Sequence, residues 1–391
     1  MRIKATNRLR LGAFIALGAA SLQARAAEEP TLGFAGAPAQ VVYNARTDHC
    51  APIDTPDISP TAFRDANGQI VMFALHYINR VLRGADFGKL KIDCNIVLNS
   101  SLDADPSRYD DRRYMGSSWS SDGKRVTSIV HHEYHAETHN TCSHTAELAC
   151  WYNTILSFSS SDGGASFKMD KPAVVAAVPF RQDVGQGRHR GFFSPSNIVA
   201  HSGHKYFFTS TTGFSGQNFG VCLFRAADPH DSASWRAWDG KEFSIRYDDP
   251  YSPGAKPPKP CAIIEPFLYP VSSFVRHRAS GTFIAVWMGR KNDKQFPVDG
   301  FYFTTSRDLK TWGLPRLLRA GPTIHDIPCT GSLIGYPSLL DETAQGRNFD
   351  DVGDAPWLFF TRIESRGCGA TGNRVLVRER MKITLGEGAP R

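Results

Sequence analysis

The chain has 391 residues, 41% apolar, 11% aromatic and 21% charged, which supplies enough core-forming side chains to exclude disorder and is too mixed for collagen or a coiled coil. Its 34 glycines and 24 prolines, without any long heptad pattern, favour short elements joined by turns over a helical bundle, and therefore an all-β chain. The formal charge of +7 at pH 7 depends heavily on the first segment.

In that segment Arg2, Lys4, Arg8 and Arg10 precede the apolar run LGAFIALGAASL at 11–22, and Ala24-Arg25-Ala26 offers small residues for cleavage. This order reads as a secretory signal peptide over 1–26. A membrane anchor is the competing reading, but the run is shorter than the roughly 20 residues that span a bilayer, and no other stretch could span one. Five of the 45 basic residues leave with the segment, so 40 remain against 38 acidic ones. Net charge then gives no argument for nucleic acid, and the expectation is a periplasmic or secreted protein with no stable membrane insertion after cleavage.

Eight cysteines follow, at positions 50, 94, 142, 150, 222, 261, 329 and 368. An even number in an oxidising compartment implies disulfides. Loop-closure economy favours neighbours, 50–94, 142–150, 222–261 and 329–368. No CxxC zinc pattern occurs.

A repeat organises the remainder. Ser59-Pro60, Ser194-Pro195, Tyr269-Pro270 and Tyr336-Pro337 each precede a short apolar strand. After a turn comes a second strand, at 69–76, 205–211, 282–290 and 356–362. A fifth copy lacks the proline: YMGSSW (114–119), the turn SSDG, then RVTSIVHHEYH (125–135). Third strands are read at 91–98, 151–158, 220–226, 300–306 and 374–380, where alternation and β-branched or aromatic content support them. Five small antiparallel sheets close most naturally into a five-bladed β-propeller, since closure protects the edges. The expected domain is 27–391, with blades at roughly 58–100, 109–175, 192–247, 266–320 and 333–385. A two-sheet sandwich is the alternative, but its strands need not repeat with this period.

Two turns add to the propeller reading. Ser160-Ser161-Asp162-Gly163-Gly164-Ala165-Ser166-Phe167 has the Ser-x-Asp-x-Gly-x-Ser/Thr-aromatic form of the Asp-box hairpin, and Ser306-Arg307-Asp308-Leu309-Lys310-Thr311-Trp312 is a shortened version. On the repeat and these turns, the chain resembles secreted five-bladed propellers of the arabinanase and xylosidase type and sialidase-like proteins. The resemblance implies a carboxylate-pair glycosidase, with an Asp starting blade one as base and a Glu starting blade four as acid. Asp57 and Glu265 match those positions. Where blade three would carry a further Asp, this chain has Ser194 and Asn197.

Residues just before first strands and just after second strands gather at one end of a propeller's channel. They nominate His76, Asp110, Asp111, Arg112, His131, His135, Arg188, Arg190, Asn197, Arg290 and Arg362 as substrate-binding residues, with Glu133 as a third carboxylate candidate. In a strand, His131, Glu133 and His135 share one face. Such a trio could bind a metal or a polar ligand; no metal ligand is assigned and no cofactor is required, though a channel ion is left open. The arginines suit an anionic sugar, or else pair with neighbouring acids. The chain has no P-loop, dinucleotide motif or GxSxG elbow. The expected function is a carbohydrate-active protein, a glycoside hydrolase acting on a neutral or acidic glycan; a noncatalytic glycan- or protein-binding propeller and a polysaccharide lyase are the alternatives.

Overall fold

The computed structural model describes residues 29–144, 150–182, 189–257, 259–292 and 294–386. The signal peptide expected at 1–26 and Arg188 lie outside the described residues.

Two leading strands, β1 (Glu29–Phe34) and β2 (Gln40–Asn44), precede five antiparallel units. Unit one holds β3 (Thr61–Arg64), β4 (Ile70–Phe73), β5 (Asn79–Gly84) and β6 (Lys91–Leu98); unit two holds β7 (Arg112–Ser120), β8 (Val126–His135), β9 (Trp151–Ser160) and β10 (Lys168–Ala176). In unit three the first strand is broken into β11 (Arg190–Phe193) and β12 (Val199–His201), followed by β13 (His204–Thr212), β14 (Phe219–Ala226), β15 (Arg236–Trp238) and β16 (Phe243–Ile245). Unit four holds β17 (Val271–His277), β18 (Phe283–Gly289), β19 (Gly300–Ser306) and β20 (Arg316–Ala320). Unit five holds β21 (Thr330–Leu340), β23 (Trp357–Arg366) and β24 (Gly369–Gly386), while the two-residue β22 (Asp351–Val352) pairs parallel with β17 at the edge of unit four. The fold is a β-propeller, its strands forming four hydrogen-bonded sheets, of which the ten-stranded one joins units two and three through the parallel β11–β9 pair. Blade five is completed by β1 and β2, which both pair antiparallel with β24 and so close the ring.

KIDCNIVL at 91–98, expected as the third strand of blade one, is its fourth. The third is β5, which pairs antiparallel with both β4 and β6.

Both faces of a blade are covered by its neighbours, and every residue of β18 (FIAVWMG), the second strand of unit four, is buried. Aromatic pairs fill the seams between units. They are Phe73–Phe167 (5.9 Å between ring centroids), Tyr152–Phe214 (5.9 Å), Phe208–Phe274 (4.9 Å), Phe301–Phe360 (5.6 Å) and Phe87–Phe359 (5.1 Å). Each such pair adds about 0.5–1.5 kcal/mol beyond its buried area.

Asparagine side chains stitch blades where ladders stop. Asn79 donates to the Arg113 carbonyl (2.7 Å) and accepts from the Met115 N–H (3.1 Å), tying blade one to blade two. Asn197 donates to the Phe274 carbonyl (2.8 Å) and accepts its N–H (2.9 Å), tying blade three to blade four. Both of its amide groups are thereby engaged, so Asn197 is a structural staple and not the ligand-binding residue expected.

The Ser160–Phe167 turn is held by Asp162, which accepts from the Ala165 and Ser166 N–H groups (3.0 Å each), while Gly163 and Gly164 take positive φ of 72° and 81°. The bridges are Cys50–Cys94, Cys142–Cys150, Cys222–Cys261 and Cys329–Cys368, the neighbour pairing expected. They fit an oxidising compartment, and among the described residues no helix is long and apolar enough to cross a membrane.

The Cys222–Cys261 bridge spans 39 residues between buried positions. Replacing both cysteines by Ala should lower the free energy of unfolding by about 4 kcal/mol from loop-closure entropy, read as a fall in the urea midpoint; an unchanged midpoint would show that the bridge does not restrict the unfolded chain.

Candidate active site

At the end of the ring where first strands begin and second strands finish, a cavity of about 490 Å³ opens on the axis and takes side chains from all five units. Asp57 reaches it from the segment before β3, Tyr114 from β7, His131 and Glu133 from β8, Trp151 and Asn153 from β9, Met288 from β18 and Tyr336 from β21. A depression of about 970 Å³ elsewhere is lined by Arg278, Asp341, Gly353 and Arg380, among others, and holds none of the residues nominated by the sequence.

Asp57 is held on every side. Its carboxylate accepts from the Tyr336 hydroxyl (2.8 Å), contacts His76 Nε2 (3.1 Å) and pairs with Arg374 Nη1, and its N–H donates to the Ala74 carbonyl (3.1 Å). Burial opposes its ionisation, but the His76 bond, the Arg374 charge and the Tyr336 hydroxyl outweigh burial and hold the pKa below the ordinary value. Burial pushes the Tyr336 and Tyr114 phenols well up, so both stay protonated. Asp57 is therefore a partly buried carboxylate, ionised at neutral pH.

Glu133 is the second carboxylate. The strand period puts it on the cavity face of β8 between His131 and His135: His131 Nδ1 lies 3.8 Å from Oε1 and His135 Nε2 lies 3.1 Å from Oε2. Burial lowers the His131 pKa against the pull of Glu133, so this ring is neutral. Among the described residues no group of three or more His, Cys, Asp or Glu side chains is arranged to hold a metal ion.

The other nominated residues divide. His76 supports Asp57, and His135 sits directly behind Glu133. Asp111 is fully buried and accepts the His135 N–H (2.7 Å), contacts His139 Nε2 (3.0 Å) and pairs with Arg112 (3.2 Å), anchoring the end of β8. Asp110 pairs with Arg113 (2.7 Å). Arg190 lies over the Phe214 ring (4.1 Å), Arg290 pairs with Asp326 (3.2 Å) and Arg362 is exposed; none lines the cavity.

Glu265 is also outside it. Ile264 and Phe267 are buried in the core, with the Ile264 N–H bonded to the Val221 carbonyl (2.9 Å), and this turns Glu265 outward to solvent. The acid expected there has no access to the cavity.

Arg374 and Tyr336 went unnoticed as site residues. Tyr336 was visible only as half of a repeated dipeptide and Arg374 only as part of a strand. The one available signal was the polar character of Arg374 inside an otherwise blade-forming run.

No family model matches the sequence, and no curated protein matches it. Among solved structures, the chain is similar to the catalytic domain of a Coprinopsis cinerea GH62 alpha-L-arabinofuranosidase (10% identity, 91% of this chain and 98% of that one, TM-score 0.48). It is also similar to a Cellvibrio cellulosa alpha-L-arabinanase (10% identity, 84% and 92%, TM-score 0.46) and a Dyadobacter fermentans protein of unknown function (13%, 83% and 76%, TM-score 0.44). Likeness at this level carries no catalytic residue across, and the chemistry rests on the side chains of this cavity.

Removing the counter-charge should expose the cost of burying Asp57. Arg374→Met should destabilise the fold by about 3–5 kcal/mol at pH 7. The penalty should shrink as pH falls through the carboxylate range, because a protonated Asp57 no longer needs a cation. Urea unfolding at pH 7 and pH 3.5 checks this; an equal penalty at both would mean that Arg374 acts through packing alone.

Proposed function

We propose that the protein is a glycoside hydrolase acting on a neutral glycan in the axial cavity, with Asp57 as base or nucleophile and Glu133 as general acid. The reading is carried by one observation: two carboxylates open on the same cavity, one paired with an arginine and the other in contact with histidines. Asp57 is held ionised by Arg374, His76 and Tyr336. Glu133 has imidazoles as its polar neighbours. Such a contrast separates the base from the acid in glycoside cleavage, where one carboxyl must ionise and the other must donate a proton to the leaving oxygen.

The walls fit a sugar. Trp151, Phe193 and Tyr114 offer aromatic faces for the apolar side of a pyranose or furanose ring, while Asn153 and the histidines offer polar atoms at its edge. Among the described residues no Arg or Lys lines the cavity, which favours a neutral substrate over a uronate or a sulfated sugar, whose anionic group would find no guanidinium or ammonium partner on the walls. In hydrolysis the glycosidic C–O bond breaks, its electron pair leaves on the oxygen that takes the Glu133 proton, and Asp57 activates water or attacks the sugar carbon.

Purified protein should release reducing sugar from one or more members of a panel of neutral glycans. Asp57→Asn and Glu133→Gln should each lower turnover on an unactivated glycoside by roughly 100-fold or more. On a nitrophenyl glycoside of the same sugar, whose leaving group needs no proton, Glu133→Gln should recover most of its activity and Asp57→Asn should not. Unsaturated products from a uronate polymer would replace this reading with a lyase; saturable glycan binding without turnover would replace it with a noncatalytic propeller.

A further inference from the structure

Behind Glu133, outside the cavity, the ring of His135 bridges two carboxyl groups. Its Nε2 lies 3.1 Å from Glu133 Oε2 and its Nδ1 lies 2.9 Å from Glu137 Oε1. Glu137 comes from the short 3-10 turn Ala136–His139 that follows β8, so three consecutive odd positions, 133, 135 and 137, form one chain of contacts.

The hydrogen count along this chain is constrained. An ionised Glu137 accepts only, so His135 Nδ1 carries a hydrogen. That leaves one hydrogen for the 3.1 Å contact between Nε2 and Oε2. If it sits on nitrogen, the pair is imidazolium and carboxylate; if it sits on oxygen, the pair is neutral imidazole and carboxylic acid.

The opposite edge of Glu133 takes no part in this sharing. Asn153 Nδ2 donates to the Arg190 carbonyl (3.1 Å), so Asn153 Oδ1 is the atom facing His131 Nε2 (2.9 Å) and accepts from it. His131 is therefore the Nε2–H tautomer, and its bare Nδ1 faces Glu133 Oε1 at 3.8 Å. His131 thus gives Oε1 no hydrogen, so the hydrogen that Glu133 shares in this chain of contacts is the one toward His135.

We propose that the general acid of this site is a proton shared between Glu133 and His135, with Glu137 clamping the far nitrogen of the ring. The inference rests on Glu133 being the acid. His135 does not line the cavity and acts through Glu133; it is a positioning residue that stores the proton. When the leaving oxygen takes the proton, the pair ends as carboxylate and neutral imidazole, and one proton from water restores it.

Other groups facing His135 are few. Arg112 on β7 opposes its protonation, the Asp111 carboxylate holds its backbone N–H (2.7 Å), the Trp151 ring on β9 packs against it at 4.7 Å, and His139 is turned toward Asp111. Burial works against the charged ring, yet the bonds and charge of Glu133, with the Glu137 bond, leave the His135 pKa above its usual value.

A titration that needs no substrate tests the pair. Imidazole nitrogen shifts of labelled protein are followed against pH, with the His135 signal assigned by its loss in His135→Gln. The expected His135 pKa lies above 6.5 in the native protein. It should fall by roughly one unit or more in Glu133→Gln and by less in Glu137→Gln. With an unactivated glycoside, the alkaline limb of the pH–rate profile should move to lower pH in His135→Gln. A His135 pKa that Glu133→Gln leaves unmoved overturns the shared proton, whatever the protein hydrolyses. A shifted titration without hydrolysis leaves the pair standing and removes the reading of the site as a glycosidase.

Discussion

Everything at the axial cavity depends on the pairing of β24 with the leading strands. β2 aligns Asn44 with Val375 and Tyr43 with Leu376, and the segment that follows carries Asp57. The same β24 carries Arg374, so closing the ring is also the act that brings the cation to the carboxylate. Tyr43 adds to this link, since its hydroxyl donates to the Asp54 carbonyl at 2.6 Å. A strand register slipped by one residue would send Arg374 to the other face of its sheet, leaving Asp57 with no counter-charge. The fold and the ionisation state of the site are fixed together.

Polar groups elsewhere in the ring follow the same rule, that a buried group keeps its place only with partners. Asn79 and Asn197 imitate a peptide and supply two-point links between blades. Asn153 does related work with a different result, since its contact with the Arg190 carbonyl orients its oxygen toward His131. A seam bond thus reaches into the site and decides which nitrogen of a cavity-lining histidine carries hydrogen. Asp111 likewise holds the end of β8, so that the alternation of His131, Glu133 and His135 is delivered to the cavity without drift.

How much of this could be read from the sequence follows the range of each interaction. The repeat, the Asp-centred turns, the neighbour disulfides and the alternating face of HHEYH depend on residues close in the chain, and all were legible. Asp57 was legible as the residue before a first strand. Its partners Tyr336 and Arg374 stand 279 and 317 residues away, and no local pattern marks them. Glu265 shows the opposite failure: its position before the blade-four strand was right, but its direction is set by the burial of Ile264 and Phe267 beside it. The nominated arginines among the described residues have partners, an acid for Arg112 and Arg290 and a ring for Arg190 and Arg362, that a count of charges does not reveal.

None of the four disulfides crosses the closing seam. Cys50–Cys94 joins the approach to blade one to its outer strand, Cys222–Cys261 joins blade three to the approach to blade four, and the other two lie within blades two and five. At the closure Glu29 stands opposite Gly386 and Phe34 opposite Met381, so the two outer ends lie side by side. Force applied between them would therefore open the β1–β24 pair as a zipper, one hydrogen bond at a time, and not shear the whole ladder at once. The ring is mechanically weakest along the seam that brings Arg374 to Asp57, and a pull strong enough to peel β1 and then β2 from β24 would discharge the site before it loaded a single covalent bridge.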